Sequence, residues 1–385
     1  MYRYILIFIL ILPQALSAQV FDDEIAFDVK GFVDSYHATG IDRGGMMMAS
    51  RTRARGEFRL RRGETSAFIS LNAVHNNIVS DYSGIELREA YLSYSGLMLD
   101  VTIGRQIVVW GVADALRLTD CVSPFDYTEF LARDYDDIRI PVNALRMRYL
   151  AGNTTVEFIC VPVPEYFRLS TEPGNPWSIV PEGAPQIDLT SGRPARKIGN
   201  MDYGARITKN MIGADLSLSV LRTWNKIPLP GGRHGRMTML GADCSLSAGE
   251  CVVRAEAAAY LGMLGERPDE SRRNVANALI GLDWYPGGDW NLSAQYCHRY
   301  SRGESNSGLA TMRLSKKLLA STLDISTFAY IDVSHGGIFN RLSASYALTD
   351  QISTTLGYDY FHADGGRFEI YKKNSELWIK LRYSF

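Results

Sequence analysis

Apolar and polar residues alternate along this chain in segments of about ten residues, and this pattern restricts the fold more than any other feature of the sequence. Residues 214–221 read ADLSLSVL, and residues 252–260 read VVRAEAAAY. Because successive side chains of a β-strand point to opposite faces, each such segment has one apolar face and one more polar face. The repetition is typical of a transmembrane β-barrel, although a soluble β-sandwich alternates in the same way and is the alternative interpretation.

Two classes of connection join these segments and predict the number of strands. Short turns are predicted at residues 62–63, 95–96, 151–152, 209–210, 248–249, 286–288, 317–318 and 349–350, and longer loops near residues 39–46, 78–84, 110–142, 163–199, 225–235, 263–274, 302–306, 334–337 and 363–373. Short turns at one end and long loops at the other are typical of the periplasmic and extracellular ends of a barrel. We therefore predict an all-β fold, a transmembrane antiparallel β-barrel of about 18 strands with both termini in the periplasm. Sixteen strands is the nearest alternative.

Charged residues on the polar faces predict a wet interior. A lysine or arginine that faces lipid near the bilayer midplane costs about 2–4 kcal/mol, so the charged face of each strand must point into the lumen. Trp284, Tyr285 and Trp290 surround one predicted short turn, as an aromatic belt at the membrane interface does. We predict that the lumenal faces are polar throughout.

The first residues have the features of a secretory signal peptide. Arg3 gives a positive charge, residues 4–12 are apolar, and residues 15–18 supply the small side chains of a cleavage site after Ser17 or Ala18. No later apolar run reaches the about 20 residues that a membrane-spanning helix needs. We predict a signal peptide over residues 1–18 and a single barrel domain over residues 19–385.

The chain ends in a strand-like segment, residues 374–385, that reads NSELWIKLRYSF. It resembles the closing strand of bacterial outer-membrane β-barrels, in which a terminal Phe belongs to the signal read by the barrel-assembly machinery. The resemblance implies that Tyr383 and Phe385 act as the insertion signal. It also implies that the protein lies in the cell outer membrane of a Gram-negative bacterium, in contact with outer-membrane lipids and, during insertion, with that machinery.

Composition and motifs argue against several other classes. The formal net charge of −1 gives no strongly basic surface for nucleic acid. The five cysteines are too scattered for a disulfide framework or a metal site, and only the pairing of Cys244 with Cys251 stays open. Some outer-membrane barrels are hydrolases with a Ser–His pair that faces lipid, but none of the six histidines here lies in a motif with a nucleophile. We predict a protein that is not an enzyme and uses no metal or cofactor.

Five arginines share one face of the second predicted strand, and only Glu57 interrupts them. Facing the lumen, such a basic track would concentrate anions. Two arginines of a later strand lie on its lumenal face as well. The predicted pore-lining basic track consists of Arg51, Arg53, Arg55, Arg59, Arg61, Arg146 and Arg148. The alternative is that these arginines pair with lumenal carboxylates and only fill the interior.

A long connection, residues 110–142, is too apolar in places for a solvated surface loop. We predict that it folds into the lumen and narrows the pore, with its acids held by lumenal arginines, and that residues 126–134 form a short helix. The predicted constriction consists of Asp114, Arg117, Asp120, Asp126, Glu129, Arg133, Asp134, Asp136, Asp137 and Arg139. An external cap or a plug that conducts nothing is the alternative. The Pro-rich loop 163–199 is predicted to be extracellular and to pack over the barrel mouth.

Around this connection the chain resembles a family of porin-like outer-membrane proteins of poorly defined function. The matching segments are residues 104–111, GRQIVVWG, residues 123–126, SPFD, and residues 134–141, DYDDIRIP. In that family a strand ending in G-R/K-Q-x-x-x-W-G leads into an S/N-P-x-D loop and an R-x-P strand start. Phosphate-selective-type and alginate-export-type porins are more distantly similar. The resemblance is specific over residues 98–150, and it implies a barrel that passes solutes, in some relatives together with inner-membrane efflux systems that handle lipids.

Together these features predict an outer-membrane porin-like channel for the passive passage of small hydrophilic solutes, with a bias toward anions. The alternative is a plugged, non-conducting barrel that is a partner of a lipid or efflux export system or a surface-binding protein. A homo-oligomer and an inner-membrane efflux partner stay open, and no solute is identified.

Overall fold

Eighteen of the strands that the structure describes form one antiparallel sheet that closes on itself. The structure is a computed structural model, and it describes residues 25–130, 133, 137–181, 183–265, 272–302 and 306–385. The predicted signal peptide, residues 1–18, lies outside the described residues. Asp134 and Asp136 of the predicted constriction lie outside them as well.

The elements follow one another with few helical interruptions. In chain order the strands are β1 (Ala26–Gly40), β2 (Met47–Arg62), β3 (Thr65–Asn76), β4 (Gly84–Ser95), β5 (Leu99–Gln106), β6 (Asp126–Tyr127), β7 (Val142–Ala151), β8 (Thr154–Val161), β9 (Arg168–Leu169), β10 (Asp202–Met211), β11 (Ala214–Trp224), β12 (Arg236–Ala248), β13 (Cys251–Met263), β14 (Arg273–Trp284), β15 (Trp290–Ser301), β16 (Ser307–Leu318), β17 (Leu323–Asp332), β18 (Gly337–Ala347), β19 (Ile352–His362) and β20 (Glu376–Ser384). Short 3-10 helices among the described residues are Ser80–Tyr82, Ile198–Asn200 and Gly366–Tyr371. The two-residue strands β6 and β9 pair with each other in parallel, and the other strands form the barrel wall.

The barrel closes because the last strand pairs with the first. Each wall strand pairs with the next wall strand along the chain, and β20 pairs with β1 from Glu376 opposite Gly40 to Ser384 opposite Phe32. A sheet closed in this way has no edge strand with unpaired backbone groups. The prediction of 18 strands is confirmed, and the alternative of 16 is wrong.

Short turns join the wall strands at one end of the barrel, the turn end, and longer loops join them at the other, the loop end. The turns lie at residues 63–64, 96–98, 152–153, 212–213, 249–250, 285–289, 319–322 and 348–351. The turn predicted at residues 209–210 is therefore misplaced, because β10 continues through Lys209 opposite Leu216 and Asn210 opposite Asp215. Polar residues near the end of a strand look like a turn in the sequence but pair without difficulty in the sheet.

The outer face of the wall is apolar. Leu218, Ile280 and Leu356 are 66%, 62% and 58% exposed, whereas inward-facing acids such as Glu256 and Asp283 are buried. Such an exterior suits contact with lipid hydrocarbon. Within the described part of the chain, no helix is both long enough and apolar enough to cross a membrane.

The C-terminal residue closes the seam between the last and the first strand. The backbone N–H of Gly31 donates to Phe385 O at 2.9 Å, and the N–H of Phe385 donates to Gly31 O at 3.0 Å. A Cβ at position 31 would lie 2.6 Å from an atom of the Phe385 ring and 2.5 Å from Arg55 O. Gly31 therefore leaves the space that the terminal ring occupies. The role of Tyr383 and Phe385 as an insertion signal stays a prediction.

Gly31→Ala is expected to lower the yield of folded barrel, because the added methyl group displaces the Phe385 ring or the backbone, at a cost of about 1–3 kcal/mol. The measurement is the fraction of protein whose migration on a gel changes on heating. Gly56→Ala is the matched control, since Gly56 lies opposite Gly31 in register and its nearest neighbour would be the Phe58 ring at 3.2 Å. Equal yields of the two variants would contradict the prediction.

Candidate functional site in the barrel interior

The connection between β5 and β7 runs through the interior of the barrel. This connection, residues 107–141, is called the insert below. Its buried apolar side chains are Val108, Trp110, Leu116, Leu118, Val122, Phe125, Ile138 and Ile140. Because so many apolar groups are shielded from water, the insert is packed against the wall and the other loops and does not lie free in a water-filled channel.

The first half of the insert is held by one acid of the wall. Glu256 on β13 lies half-way round the sheet from β2. Its carboxylate accepts hydrogen bonds from the backbone N–H groups of Val112 at 2.9 Å, Ala113 at 3.0 Å and Thr119 at 2.6 Å, and from the Thr119 hydroxyl at 2.9 Å. Gly111 has φ +87°, and a Cβ there would lie 2.7 Å from Glu256 Oε1. A glycine is needed where the insert turns so close to the carboxylate.

Other wall strands bind the insert through its backbone and its indole. Gln295 on β15 accepts from the Asp114 N–H at 3.1 Å and donates to the Asp114 carbonyl at 2.9 Å. The indole N–H of Trp110 donates to Glu157 Oε1 on β8 at 2.7 Å. Further insert carbonyls accept from the wall, namely Leu118 from Tyr260, Ala115 from Tyr330 and Val112 from Arg254. The insert therefore contacts several strands across the interior.

The arginines of β2 hold the second half of the insert. Arg51, Arg53 and Arg55 are buried and point inward, and together with Glu129 and Asp137 of the insert they are called the arginine clamp below. Arg53 Nη1 donates to Asp137 Oδ2 at 2.7 Å, and Arg55 Nη2 forms an ion pair with Asp137 Oδ1 at 2.8 Å. Arg51 binds Glu129. Charge-assisted contacts of this kind are the strong hydrogen bonds of proteins, so the clamp fixes the insert to β2.

Two residues of the wall, Asp34 and Asn72, also bind arginines of the clamp. Asp34 on β1 lies opposite Arg53 in register and accepts from its Nη2 at 2.6 Å. Asn72 on β3 lies opposite Arg55 and accepts from its Nε at 2.7 Å. The guanidinium groups of Arg53 and Arg55 are thus held by the wall on one side and by the insert on the other.

The charge of the clamp sets its response to pH. Burial alone would raise the pKa of Asp137, but the positive charges of Arg53, Arg55 and Arg88 hold it well below its usual range. A depressed carboxyl pKa contributes stability that is fully present above the unfolded value of about 3.9 and is lost as the pH falls through the folded value. Asp137 therefore stays ionised at neutral and mildly acidic pH.

Wild-type protein is expected to be more stable than the Asp137→Asn variant by the same margin from about pH 8 to about pH 5, with the margin shrinking only below about pH 4. The physical reason is that Asp137 stays ionised in the folded state across that range. The measurement is the thermal unfolding midpoint of both proteins as a function of pH. A margin that disappears between pH 6 and pH 5 would contradict this assignment.

Charged residues inside the insert bind one another. Arg117 Nε donates to the Asp120 carbonyl at 2.7 Å, and its guanidinium lies 4.2 Å from the centre of the Phe125 ring. Arg139 binds the Asp120 carboxylate and approaches the same ring at 5.0 Å. These four side chains form a compact unit within the insert, so they stabilise its shape and present little free charge to a solute.

The other acids of the predicted constriction that the structure describes, Asp126 and Asp114, are paired as well. Asp126 forms an ion pair with Arg133 at 3.2 Å. Burial would raise the pKa of Asp126, but Arg133 and hydrogen bonds from Thr128 lower it. Asp114 lies 3.5 Å from Arg313. The helix predicted over residues 126–134 is wrong for the part that the structure describes, because Asp126 belongs to β6 and a turn follows.

The inward-facing arginines are mostly neutralised. Arg146 pairs with Glu157 at 2.6 Å and Arg148 with Asp100 at 2.7 Å. Further wall pairs are Arg206 with Asp243, Arg254 with Asp283 and Arg341 with Asp359. Arg59 and Arg61 of the predicted track differ from these: they are exposed near the turn end, and neither forms an ion pair with another described residue.

The loop end of the interior is apolar and filled. Phe130 of the insert stacks on Tyr371 with ring centres 4.0 Å apart, and the fully buried Trp177 packs beside Phe130 at 6.3 Å. Asn374 Nδ2 donates to the Pro176 carbonyl at 2.8 Å. The insert therefore meets the loops at residues 162–201 and 363–375 in one core. The prediction of a polar interior throughout is wrong for this end of the barrel.

Sequence reasoning missed the wall residues that hold the insert. Glu256 and Asp243 lie opposite each other in register, and of these two acids it is Asp243 that forms an ion pair with Arg206. Two acids that face each other across neighbouring strands repel each other unless a further hydrogen-bond donor approaches them. The alternation pattern places both acids on the lumenal face, so it could have indicated that such a donor is needed. The five cysteines are free, and no group of His, Cys, Asp and Glu in the described ranges is arranged to hold a metal ion.

The chain matches one protein-family model. Residues 77–318, more than half of the chain, match the family described as protein of unknown function DUF1302. No curated protein matches the chain. The more distant similarity to phosphate-selective-type and alginate-export-type porins stays a prediction.

Solved barrels of similar fold include proteins of Pseudomonas aeruginosa and Acinetobacter baumannii. OccK11 (OpdR) of Pseudomonas aeruginosa is 9% identical, with a TM-score of 0.56 over 93% of this chain and 96% of that chain. OccK2 (OpdF) of the same organism, solved in complex with glucuronate, is 11% identical, with a TM-score of 0.55 over 94% and 97%. OccAB4 of Acinetobacter baumannii is 8% identical, with a TM-score of 0.55 over 94% and 98%. At these identities the comparison shows a shared fold, that of outer-membrane porins.

Proposed function

The chain belongs to the family of proteins of unknown function DUF1302, and we propose that it is a porin-like channel of the Gram-negative outer membrane that passes small hydrophilic solutes. The turn end then faces the periplasm and the loop end the cell exterior. The observation that carries the proposal is the insert, which Glu256 holds on one side of the interior and the arginine clamp on the other. A loop that narrows a closed barrel is how porins set the width of their channel.

The paired charges limit where ion selectivity arises. Arg53 and Arg55 are neutralised by Asp34 and Asp137, so they add little to the net field of the lumen. Arg59 and Arg61 keep their charge exposed near the turn end, and we assign the anion bias to them. Rings or tracks of one charge select ions by sign. Glucuronate, which the OccK2 structure contains, is a small hydrophilic anion and is a suitable first solute to test.

Purified wild-type protein in a planar bilayer under a salt gradient is expected to give small open steps with a reversal potential that favours anions. The Arg59→Ser/Arg61→Ser double variant should move that potential toward cations, because it removes two exposed positive charges from the lumen. The Arg196→Ser/Lys197→Ser double variant removes the same charge from an exposed part of a long loop and should leave the potential nearly unchanged. Equal shifts of the reversal potential in both double variants would contradict the assignment of the anion bias to Arg59 and Arg61, but not the proposal that the protein is a channel.

A second candidate function follows from the apolar core at the loop end. Trp110, Val122 and Trp177 are almost completely buried there, which favours a plugged barrel that is a partner of a lipid or efflux export system. Folded protein that inserts into the bilayer but shows no open steps would support this candidate. A barrel plugged by the insert should begin to conduct once the insert is detached, whereas a channel that the insert only narrows should already conduct and should then open wider.

A further inference from the structure

A hydrogen-bonded chain of polar side chains lies on the outer face of β1 and β2. Ser35 Oγ is 2.9 Å from His37 Nε2, and His37 Nδ1 is 3.1 Å from Ser50 Oγ. Asn77 Nδ2 donates to the same Ser50 oxygen at 2.9 Å. Ser35 and His37 face outward because the residues beside them, such as Asp34, are buried inside the barrel. Polar groups on a wall that contacts lipid are costly and call for a physical explanation.

The register of the sheet places this chain of side chains next to exposed apolar side chains of the wall. Toward the turn end, the next outward row consists of Val33, Ala54 and Ala73, which pair with one another across the strands. On the other side, Ile379 of β20 lies opposite His37 and Leu377 lies opposite Thr39, and the two apolar side chains are 45% and 52% exposed. The apolar surface therefore continues beside and beyond the polar side chains. An acyl chain that lies along this surface would therefore pass beside the polar side chains.

The order of the hydrogen bonds suits nucleophilic catalysis. When the proton of the His37 ring is on Nδ1, that N–H donates to Ser50 Oγ, which also accepts from Asn77. His37 Nε2 is then free to accept the proton of the Ser35 hydroxyl. Nucleophile, base and a group that orients the base are the three parts of an activated serine. Residues two apart on a strand share a face, so a pair of this kind carries none of the sequence motifs on which the prediction of a non-enzyme relied.

We propose that Ser35 and His37 are catalytic residues of an acyl-ester hydrolase site that faces the membrane, and that its substrate is an ester-linked acyl chain of a membrane lipid. The Ser35 oxygen attacks the ester carbonyl carbon, and the hydroxyl proton passes to His37 Nε2. The tetrahedral adduct collapses, the bond from the carbonyl carbon to the alcohol oxygen breaks, and the alcohol leaves with the proton from His37. Water then cleaves the acyl-serine, with His37 as base, and yields the fatty acid and free Ser35. The proposal rests on the outer-membrane placement proposed above and is independent of conduction.

Neighbouring groups suit the rest of such a site. The Thr52 hydroxyl lies 3.3 Å from Ser35 Oγ, so one donor for the developing oxyanion is close to the nucleophile. Leu381 lies opposite Ser35 on β20 and is exposed. With Ile379 it offers an apolar surface on which an acyl chain can lie beside the serine.

The test uses the full-length barrel in mixed micelles of detergent and a diacyl phospholipid that carries a fluorescent acyl chain. Wild-type protein is expected to release the labelled fatty acid, and a fluorophosphonate probe should form an adduct on Ser35 that peptide mass spectrometry locates. Ser35→Ala and His37→Ala should each lower the release rate by at least about 100-fold. Thr327→Ala is the matched control, because it removes an outward hydroxyl that is hydrogen-bonded to Asn340 and has no histidine partner. Heat-dependent migration on a gel checks that each variant folds.

Ser50 is a positioning residue in this proposal, and its test is separate. Ser50→Ala should lower kcat with little change in KM and shift the acidic limb of the pH–rate profile, whereas Ser50→Thr, which keeps the hydroxyl, should restore the rate. Fatty-acid release that survives in folded Ser35→Ala protein would overturn the proposal. So would wild-type protein that neither releases fatty acid nor forms the adduct on Ser35, and in that case the side chains only satisfy one another's hydrogen bonds.

Discussion

Replacing Glu256 by glutamine is expected to raise the single-channel conductance several-fold and to lower the stability of the barrel by about 2–6 kcal/mol. Both carboxylate oxygens of Glu256 accept hydrogen bonds from the insert. In the glutamine variant an amide NH2 group replaces one of these oxygens, so hydrogen-bond donors of the insert face a donor and lose their acceptor. Each buried donor left without an acceptor costs about 1–3 kcal/mol. The first half of the insert then separates from β13, so the narrowest part of the lumen widens. Planar-bilayer recording and thermal unfolding measure the two effects.

Asp243→Asn is the matched control for this change. Asp243 lies opposite Glu256 in register and binds Arg206 of the wall without contacting the insert. It should leave the conductance close to the wild-type value even if it lowers stability. If both variants conduct alike, or if Glu256→Gln protein conducts like wild type, the insert does not set the width of the channel.

Arg53→Ala is expected to destabilise the barrel by about 3–5 kcal/mol, the cost of removing one partner of a buried ion pair. The Arg53 guanidinium binds Asp34 and Asp137 at once, and the residue is only 3% exposed. Its loss leaves the buried Asp34 carboxylate paired with Arg382 and the buried Asp137 carboxylate paired with Arg55. The measurement is the denaturant or temperature midpoint at which the heat-modifiable form is lost.

Arg59→Ala provides the comparison on the same face of the same strand. Arg59 is exposed, with its guanidinium 5.1 Å from the centre of the Phe68 ring. Exposed charges contribute about 0–1 kcal/mol to stability, so this variant should unfold close to the wild-type midpoint. Comparable losses for the two variants would show that the buried clamp is no stronger than a surface contact.

Alternating polarity was sufficient to predict the wall. In a membrane, lipid excludes charge from one face of every strand and backbone pairing requires closure, so alternation in segments of this length, together with the two classes of connection, predicts a barrel. Strand ends were harder to predict, as Lys209 and Asn210 show, because their pairing depends on the neighbouring strand. The predicted strand number is nevertheless confirmed, because it was obtained by counting connections, and an error of a few residues in the end of a strand does not change that count.

The partners of the insert could not be predicted from local pattern. Lumenal parity identifies Arg53 and Arg55 as inward-facing, but nothing near them in the sequence indicates that Asp137 is their partner. The apolar contacts at the loop end could not be predicted for the same reason, since Phe130 and Tyr371 lie on different loops. Spacing therefore predicted which residues point inward, and tertiary packing determined which of them remain charged and exposed.

The residues that hold the insert lie far from it along the chain. Glu256 follows Thr119 by 137 residues, and Gln295 follows Asp114 by 181 residues. Contacts of such high sequence separation form late, because the chain between them must be ordered first. The backbone donors of the insert must stay in contact with water until β13 and β15 have joined the sheet. Resistance of the insert to protease thus reports the completion of assembly, and an intermediate that lacks the later strands exposes a cleavage site in its own interior.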